Sequence, residues 1–155
     1  MGDAVIRPAT PADAQGVADV YLASRKTFLV FAPLAHSDDE VRAWVTSVLI
    51  PSGGVTVAVQ KDVEELVGMM ALSHDGRSGW IDHIYLTPPA VGQGLGARFM
   101  SLAKERLGSP IRLYTFQDNV GARRFYERHG FRVLELGDGS ANEERCPDML
   151  YEWAT

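Results

Sequence analysis

The chain is poor in the features that mark several large protein classes. It holds one cysteine, Cys146, among 155 residues, so no internal disulfide forms, and no further Cys or His stands near it at zinc-ligand spacing. A buried, idle thiol and no bound metal are expected. No apolar run reaches the roughly 18 residues of a spanning helix, and the N-terminus lacks the basic and apolar regions of a secretory signal. Met1-Gly2 is followed by Ile6, not by the Ser or Thr of a myristoylation pattern. These absences predict a cytoplasmic protein with no membrane partner. Positive charge is also scarce: 15 basic residues face 20 acidic ones, for a net charge of −5. Nucleic-acid phosphates need a basic surface, so no nucleic-acid partner is expected, and a cationic small substrate is mildly favoured. Repeats and low-complexity segments are missing as well. What remains is a chain with 46% hydrophobic residues, sized for a single domain over 1–155 with one core.

What is present reads as strands and helices in succession. Ala4 to Pro8 makes a short strand. Thr10, Pro11 and Asp13 start a helix, with Thr10 as N-cap and Pro11 in the first turn; it runs to about Thr27 or Phe31. Ser37-Asp38-Asp39-Glu40 opens a second helix, its acids suiting the positive helix end. Val41, Trp44, Val45 and Val48 form its predicted apolar face. After the Pro51–Gly54 turn come strands over Val55 to Gln60 and Glu65 to His74, joined at Lys61-Asp62. Asp75-Gly76 and Ser78-Gly79 punctuate the next turn. A strand over 80–87, a helix over 94–107 and a break at Gly108-Ser109-Pro110 follow. Then come a strand over Ile111 to Phe116, a helix over Asn119 to His129, a strand over Phe131 to Leu136, a polar loop, and a last strand from Met149 to Trp153. Hairpin-like strands followed by strand–helix units predict an α/β fold of the mixed α+β kind, with helices on a mixed sheet.

The segment from Ile81 to Ala97 is the most informative. A β-branched and aromatic strand ends at Pro88-Pro89. Gly92, Gly94 and Gly96 then stand at alternate positions before a helical pattern that includes Phe99, Met100, Leu102, Ala103 and Leu107. Glycines ahead of a helix let backbone N–H groups approach a ligand, and the helix end favours anions, phosphates above all. The loop lacks the Lys-Ser/Thr of a P-loop. A dinucleotide fingerprint is formally met by Gly92, Gly94 and Ala97. Its acidic partner, Asp118, lies too far on, and too little chain follows for a doubly wound sheet.

Gly92-Gln93-Gly94-Leu95-Gly96-Ala97 resembles the Arg/Gln-x-x-Gly-x-Gly/Ala loop of the GNAT superfamily of acetyl-CoA-dependent N-acyltransferases. The preceding Ile84-Tyr85-Leu86-Thr87-Pro88 resembles that family's fourth strand. Asn119 through Phe131, with Ala122, Phe125-Tyr126 and Gly130-Phe131, is similar to its second signature. The likeness covers roughly 4–136, and the two motifs together are specific. It implies a mostly antiparallel sheet flanked by about four helices, with acetyl-CoA as cosubstrate and an amine, small molecule or peptide, as acceptor. It leaves a homodimer open. By the resemblance, Val91 and Gly92 to Ala97 line the coenzyme's pyrophosphate, and backbone groups of Ile84, Tyr85 and Leu86 pair with its pantetheine arm. Asn119 contacts the coenzyme, and Tyr126 protonates the departing thiolate. Val91 departs from the family pattern, which has Arg or Gln there, so backbone N–H groups must carry more of the contact.

Acyl transfer to an amine needs a neutral nucleophile, yet an alkyl ammonium titrates near 10.4. It also needs a donor for the developing oxyanion, an acid for the thiolate and two substrates held together. Tyr126, a phenol protonated at neutral pH, suits the acid; packing as a core aromatic is its other reading. Asn119 also reads as a helix N-cap, and Gly130 as a C-cap glycine with Phe131 entering the core. For the base, Asp82 and His83 stand next to one another and are expected on opposite faces of the strand. Family usage favours Asp82, while the intrinsic pKa favours His83; His74 and His36 are weaker candidates. Phe28, Phe31, His36 and Trp44 are the conspicuous side chains around the first two helices, with Phe31 and His36, in the intervening loop, expected to line the acceptor pocket. No Ser or Cys sits in a nucleophile motif, so direct attack in a ternary complex is expected over a covalent enzyme intermediate. The alternatives are a non-catalytic acyl-CoA-binding sensor and a nucleotide-binding module.

Overall fold

A computed structural model describes residues 3–155; Met1 and Gly2, on which the myristoylation reading rests, lie outside them. The strands are β1 (Ala4–Pro8), β2 (Val55–Gln60), β3 (Glu65–His74), β4 (Gly79–Leu86), β5 (Ile111–Phe116), β6 (Arg132–Leu136) and β7 (Asp148–Trp153). The helices are α1 (Ala14–Phe28), α2 (Asp38–Trp44), α3 (Leu95–Leu107) and α4 (Val120–Arg128). Short 3-10 turns precede α1 and α3. The strands form one sheet in the order β1-β2-β3-β4-β5-β7-β6. Every neighbouring pair is antiparallel except β4 and β5, as the predicted mixed α/β architecture requires.

Helices cover both faces. On one, α3 and α4 bury Phe99, Met100, Ala103 and Tyr126 against Met70, Ile81, Ile111 and Tyr151. On the other, α1, α2 and the turn that follows it bury Val17, Tyr21, Val41 and Val45 against Val57, Met69 and Ala71. Full burial of each large apolar side chain stabilises the fold by about 1.5–3 kcal/mol, so both helix pairs are firmly seated on the strands that form the site.

Local chemistry sets the boundaries. The Asp13 carboxylate accepts from the Thr10 N–H at 2.7 Å and pairs with Arg7 at 2.8 Å, fixing the chain's entry into α1. Ser37 and Glu40 form a reciprocal cap on α2: Glu40 N–H donates to Ser37 Oγ at 3.2 Å, and Ser37 N–H donates to Glu40 Oε1 at 2.9 Å. The predicted apolar face of α2 needs one correction. Val41 and Val45 are buried, but Val48 is 57% exposed and Leu49 is buried in its place. The chain widens into a π-helical turn over Val45–Leu49, and that extra residue per turn advances the buried stripe by one position. Beyond α4, Gly130 adopts φ +90 and Phe131 N–H reaches back to Tyr126 O at 3.1 Å. That is the expected glycine C-cap, and it drives Phe131 into the core.

The feature that positions the site is a gap inside the sheet. β4 and β5 pair only at Gly79 with Ile111 and Trp80 with Arg112. Past those residues they diverge, so among the described residues one edge of β4 from Ile81 to Leu86 has no strand partner. β3 still holds the opposite edge through Gly68–Leu86, Met69–Tyr85 and Met70–Ile84.

Candidate active site

The glycine-rich loop lies between β4 and α3, as its sequence predicts. Gly92 and Gly94 have φ of +83 and +86, a region that L side chains rarely occupy. A Cβ at either would meet nothing within 4 Å, so the loop's outer side is open. Gly94 is the N-cap residue of α3, and Arg98 N–H is the first to close back, onto Gly94 O at 3.1 Å. Among the described residues none of the backbone N–H groups from Gly92 to Ala97 donates to a backbone carbonyl. This is the expected state of a helix's first turn. Here it is extended through Gly94, Gln93 and Gly92, and it adds to the positive helix end. The side chains stand aside: Gln93 Nε2 turns back to Pro89 O at 2.9 Å, and Val91 is exposed. The arrangement fits a pyrophosphate held by backbone.

The gap between β4 and β5 is lined from both faces of the sheet. Tyr85 packs edge-on to Tyr21 of α1, with centroids 5.1 Å apart. Tyr126 of α4 is 8% exposed and sits among Phe125, Phe131 and Tyr151. Burial pushes the Tyr126 phenol well above its usual range, and the nearby Tyr85 hydroxyl adds to the rise. Tyr126 is thus packed as a core aromatic, one of its two expected readings. Asn119 is the N-cap it resembles in sequence: its Oδ1 accepts from Ala122 N–H at 3.3 Å.

The two candidate bases require a correction. They do not face opposite sides. A bulge shifts the β3–β4 register, so that Ala71 pairs with His83 but Leu72 pairs with Ile81. Asp82 is the extra residue. Ile81 and Ile84 both join the α3/α4 cluster, and the two residues between them turn to the α1/α2 face. There His83 packs against Tyr21, Trp44 and Tyr85, and burial, with a contribution from Arg25, lowers its pKa to about 4. Asp82 is exposed; loss of water around it raises its pKa, opposed by the Ser73 hydroxyl. His74 caps its own turn, accepting from Gly76 N–H at 2.9 Å.

The α1–α2 connection, the expected acceptor side, meets the 137–147 loop. Phe31 meets Phe116 of β5 edge-on at 6.1 Å. His36 Nε2 donates to Glu143 at 2.8 Å, and that carboxylate raises its pKa. Phe28 is exposed and Trp44 half-buried. A cavity of about 350 Å³ opens here, lined by Arg25, Leu29, Pro33, Leu34 and His36 among others. Arg25 and Glu144 are functional candidates that sequence reasoning missed. Arg25 Nη2 donates to Glu144 at 2.9 Å, beside the Tyr85 hydroxyl and 5.8 Å from the Phe116 ring centroid. The signal was its place on the buried stripe of α1, four residues after Tyr21 and four before Leu29. Nothing in the polar loop distinguishes Glu144 from its acidic neighbours. Among the described residues, no three His, Cys, Asp or Glu gather as a metal site, and no helix is long and apolar enough to cross a membrane.

With this geometry in place, comparison with known proteins is specific. The family model described as Acetyltransferase (GNAT) family matches residues 18–131. No curated protein matches the sequence. Among solved structures, apo YjaB from Escherichia coli superposes with a TM-score of 0.77 at 20% identity, covering 97% of each chain. Ard1 from Thermoplasma volcanium gives 0.73 at 18% identity, over 98% of this chain and 97% of its own. PaiA N-acetyltransferase from Thermoplasma acidophilum, solved with coenzyme A, gives 0.70 at 20% identity over 99% of each. At these identities the structural likeness speaks for the fold.

Proposed function

Because this chain belongs to the acetyltransferase (GNAT) family, we propose that it moves an acetyl group from acetyl-CoA to a primary amine by direct attack with both substrates bound. Acetyl-CoA supplies the acyl group already activated as a thioester. The observation that supports the reading most is the run of unpartnered N–H groups from Gly92 to Ala97 beside the open edge of β4. The loop and the positive end of α3 hold the pyrophosphate. The free edge of Ile84, Tyr85 and Leu86 receives the pantetheine amide groups as an added strand would.

Within the gap, Tyr126 holds its proton firmly. An alkyl thiol titrates near 8.5, well below so deeply buried a phenol, so complete proton transfer from Tyr126 is uphill. Its contribution is a hydrogen bond aimed at the leaving sulfur, strongest when negative charge develops there. On the acceptor side Asp82, a carboxylate open to solvent, takes the amine proton directly or through water. His83, walled in by three aromatic rings, keeps a neutral imidazole whose low basicity suits it to shaping the pocket. We further infer that the protein works in the cytoplasm, where acetyl-CoA is available.

The test is thiol release. Purified protein, acetyl-CoA and a panel of amines should give CoA release that depends on the amine, with the acetylated amine detected by mass spectrometry. Tight CoA binding with no amine-dependent release overturns catalysis in favour of an acyl-CoA-binding sensor. Calorimetry showing NAD bound and CoA not would overturn the coenzyme assignment itself.

A further inference from the structure

The sheet has two edges, and they are finished differently. At β1, Arg98 Nη1 donates to Ala4 O at 3.0 Å, and Arg7 is tied to Asp13. Pro8, which has no N–H to offer, ends the strand. Prolines and charged side chains are ordinary ways of blunting an edge. β6 is the other edge. Among the described residues it pairs with β7 alone, and all five of its residues are exposed. Three of them are apolar: Val133 is 43% exposed, Leu134 49% and Leu136 64%. An open edge with apolar side chains is a template for another strand. The two charges of β6 indicate which strand. Arg132 lies opposite Glu152 and Glu135 opposite Leu150, whereas Val133 and Leu136 lie opposite Tyr151 and Met149. Tyr151 and Met149 belong to the core under α3 and α4, so Arg132 and Glu135 share the other face of the sheet. In a regular strand, residues three apart point to opposite faces. The bulge at Leu134 brings these two to one side. Among the described residues neither charge takes part in an ion pair, and Glu152, across from Arg132, is engaged by Arg112 at 2.8 Å.

We propose that β6 pairs antiparallel with β6 of a second copy of this chain about a two-fold axis, joining the two sheets edge to edge. The register that satisfies both charges sets Arg132 opposite Glu135 of the second copy, and Glu135 opposite Arg132 of the second copy. A strand carrying one charge of each sign on one face is complementary to itself under such an axis, and opposite charges directly across a ladder are favourable. Val133 and Leu134 fall at the axis, facing Leu134 and Val133 of the second copy. The two bulges then oppose one another, so neither strand is a residue out of step. Pairing gives the edge's backbone groups partners and takes the apolar side chains from water. A five-residue strand supplies fewer than the roughly 20–30 residues a side of a standard interface, so this dimer dissociates on dilution. The interface holds whatever the acceptor is, and whether or not acetyl transfer is the reaction.

Sedimentation velocity of the parent protein should show a monomer at about 1 μM giving way to a dimer by about 200 μM, as suits so small an interface. Hydrogen exchange over the same range should show the amides of β6 gaining protection with concentration while those of β1 stay as they were. Arg132→Glu and Glu135→Arg each set like charges opposite one another, twice per dimer because the axis repeats every contact. Each should weaken the dimer about tenfold or more. An equimolar mixture of the two variants should recover a dimer about as tight as the parent's, because in that mixed pair both positions again meet the opposite charge. A parent that stays monomeric throughout leaves β6 to a strand from a different protein and overturns the proposal. A dimer whose β6 amides exchange as fast as the monomer's also overturns it. So does a single variant that dimerises like the parent, or a mixture that dimerises no better than its components. The parent's own concentration series and exchange pattern decide the first two outcomes even if a variant fails to fold.

Discussion

The two walls of the proposed cleft, one for the coenzyme and one for the acceptor, are made of different material. The coenzyme wall is local and is largely backbone: one strand edge, one glycine loop and one helix start, contiguous from Ile81 to Ala97, with α4 following. The acceptor wall is assembled from side chains far apart in the chain. Arg25 meets Glu144 across 119 positions and His36 meets Glu143 across 107. Backbone N–H groups are present whatever the side chains are, so the first wall suits a cosubstrate that never changes. Side-chain pairs alter with a single substitution, so the second suits a substrate that differs from one protein to the next. The variants below test that division, in descending order of expected effect.

Tyr126→Phe removes a hydroxyl where the walls meet and leaves the ring's packing in place. Losing one aimed donor to a developing anion typically costs about 10²–10³-fold in kcat, and we expect about 10²-fold with a small change in the KM for acetyl-CoA. Single-turnover rates check it; an unchanged rate where chemistry limits turnover returns Tyr126 to the core alone. Gly94→Val tests the coenzyme wall and should weaken CoA at least tenfold, about 1.4 kcal/mol, because a branched side chain would enter the open space over the loop. The substitution also strains a residue at φ +86. Gly76→Val is the control: it has φ +92 and open surroundings too, but lies in the β3–β4 turn. It should lose comparable stability and keep CoA affinity. Equal loss of CoA affinity in both variants would break the loop assignment.

The division also explains what was legible. Local elements depend on neighbours in sequence, so α3, α4, the glycine loop, the Asn119 cap and the Gly130 cap could all be placed within a residue or two. The misplaced features depend on partners. The bulge at Asp82 exists because β3 is one residue short there, which nothing in β4 reveals. Val48 pointed inward under a 3.6-residue period and points outward once the chain adopts a π turn. Arg25 was overlooked because charge is normally read as surface, and only the 137–147 loop, folding back with Glu144, makes its burial tolerable.

Asp82→Asn comes next in size. A carboxylate with raised pKa keeps its basic form above that pKa and loses it as pH falls, so parent kcat/KM should decline as the solution is acidified. His83, lowered to about 4, stays neutral from there upward. Any further rise between pH 7 and 9 belongs to the amine, whose own proton is leaving. Measured from pH 4 to 9, Asp82→Asn should lower the plateau and remove the Asp82 limb, whereas His83→Gln should leave that limb in place and mainly raise the amine's KM. An Asp82→Asn profile superimposable on the parent's places the base elsewhere.

The smallest effect probes the acceptor wall at its foundation. Ser37 caps α2 and adjoins both His36 and Asp38, which line the cavity. Removing an N-cap hydroxyl typically costs about 1 kcal/mol, which in a domain of this size lowers Tm by roughly 2–4 °C. Ser37→Ala should do so and raise the KM for the acceptor severalfold, because the fraying turn carries cavity residues with it. CoA affinity, set by backbone on the other wall, should not move. The two walls share Tyr85 and the gap but not α2, so a parallel loss of CoA affinity in Ser37→Ala would mean that they are one mechanical unit, and the separation drawn between a constant wall and a variable one would fail.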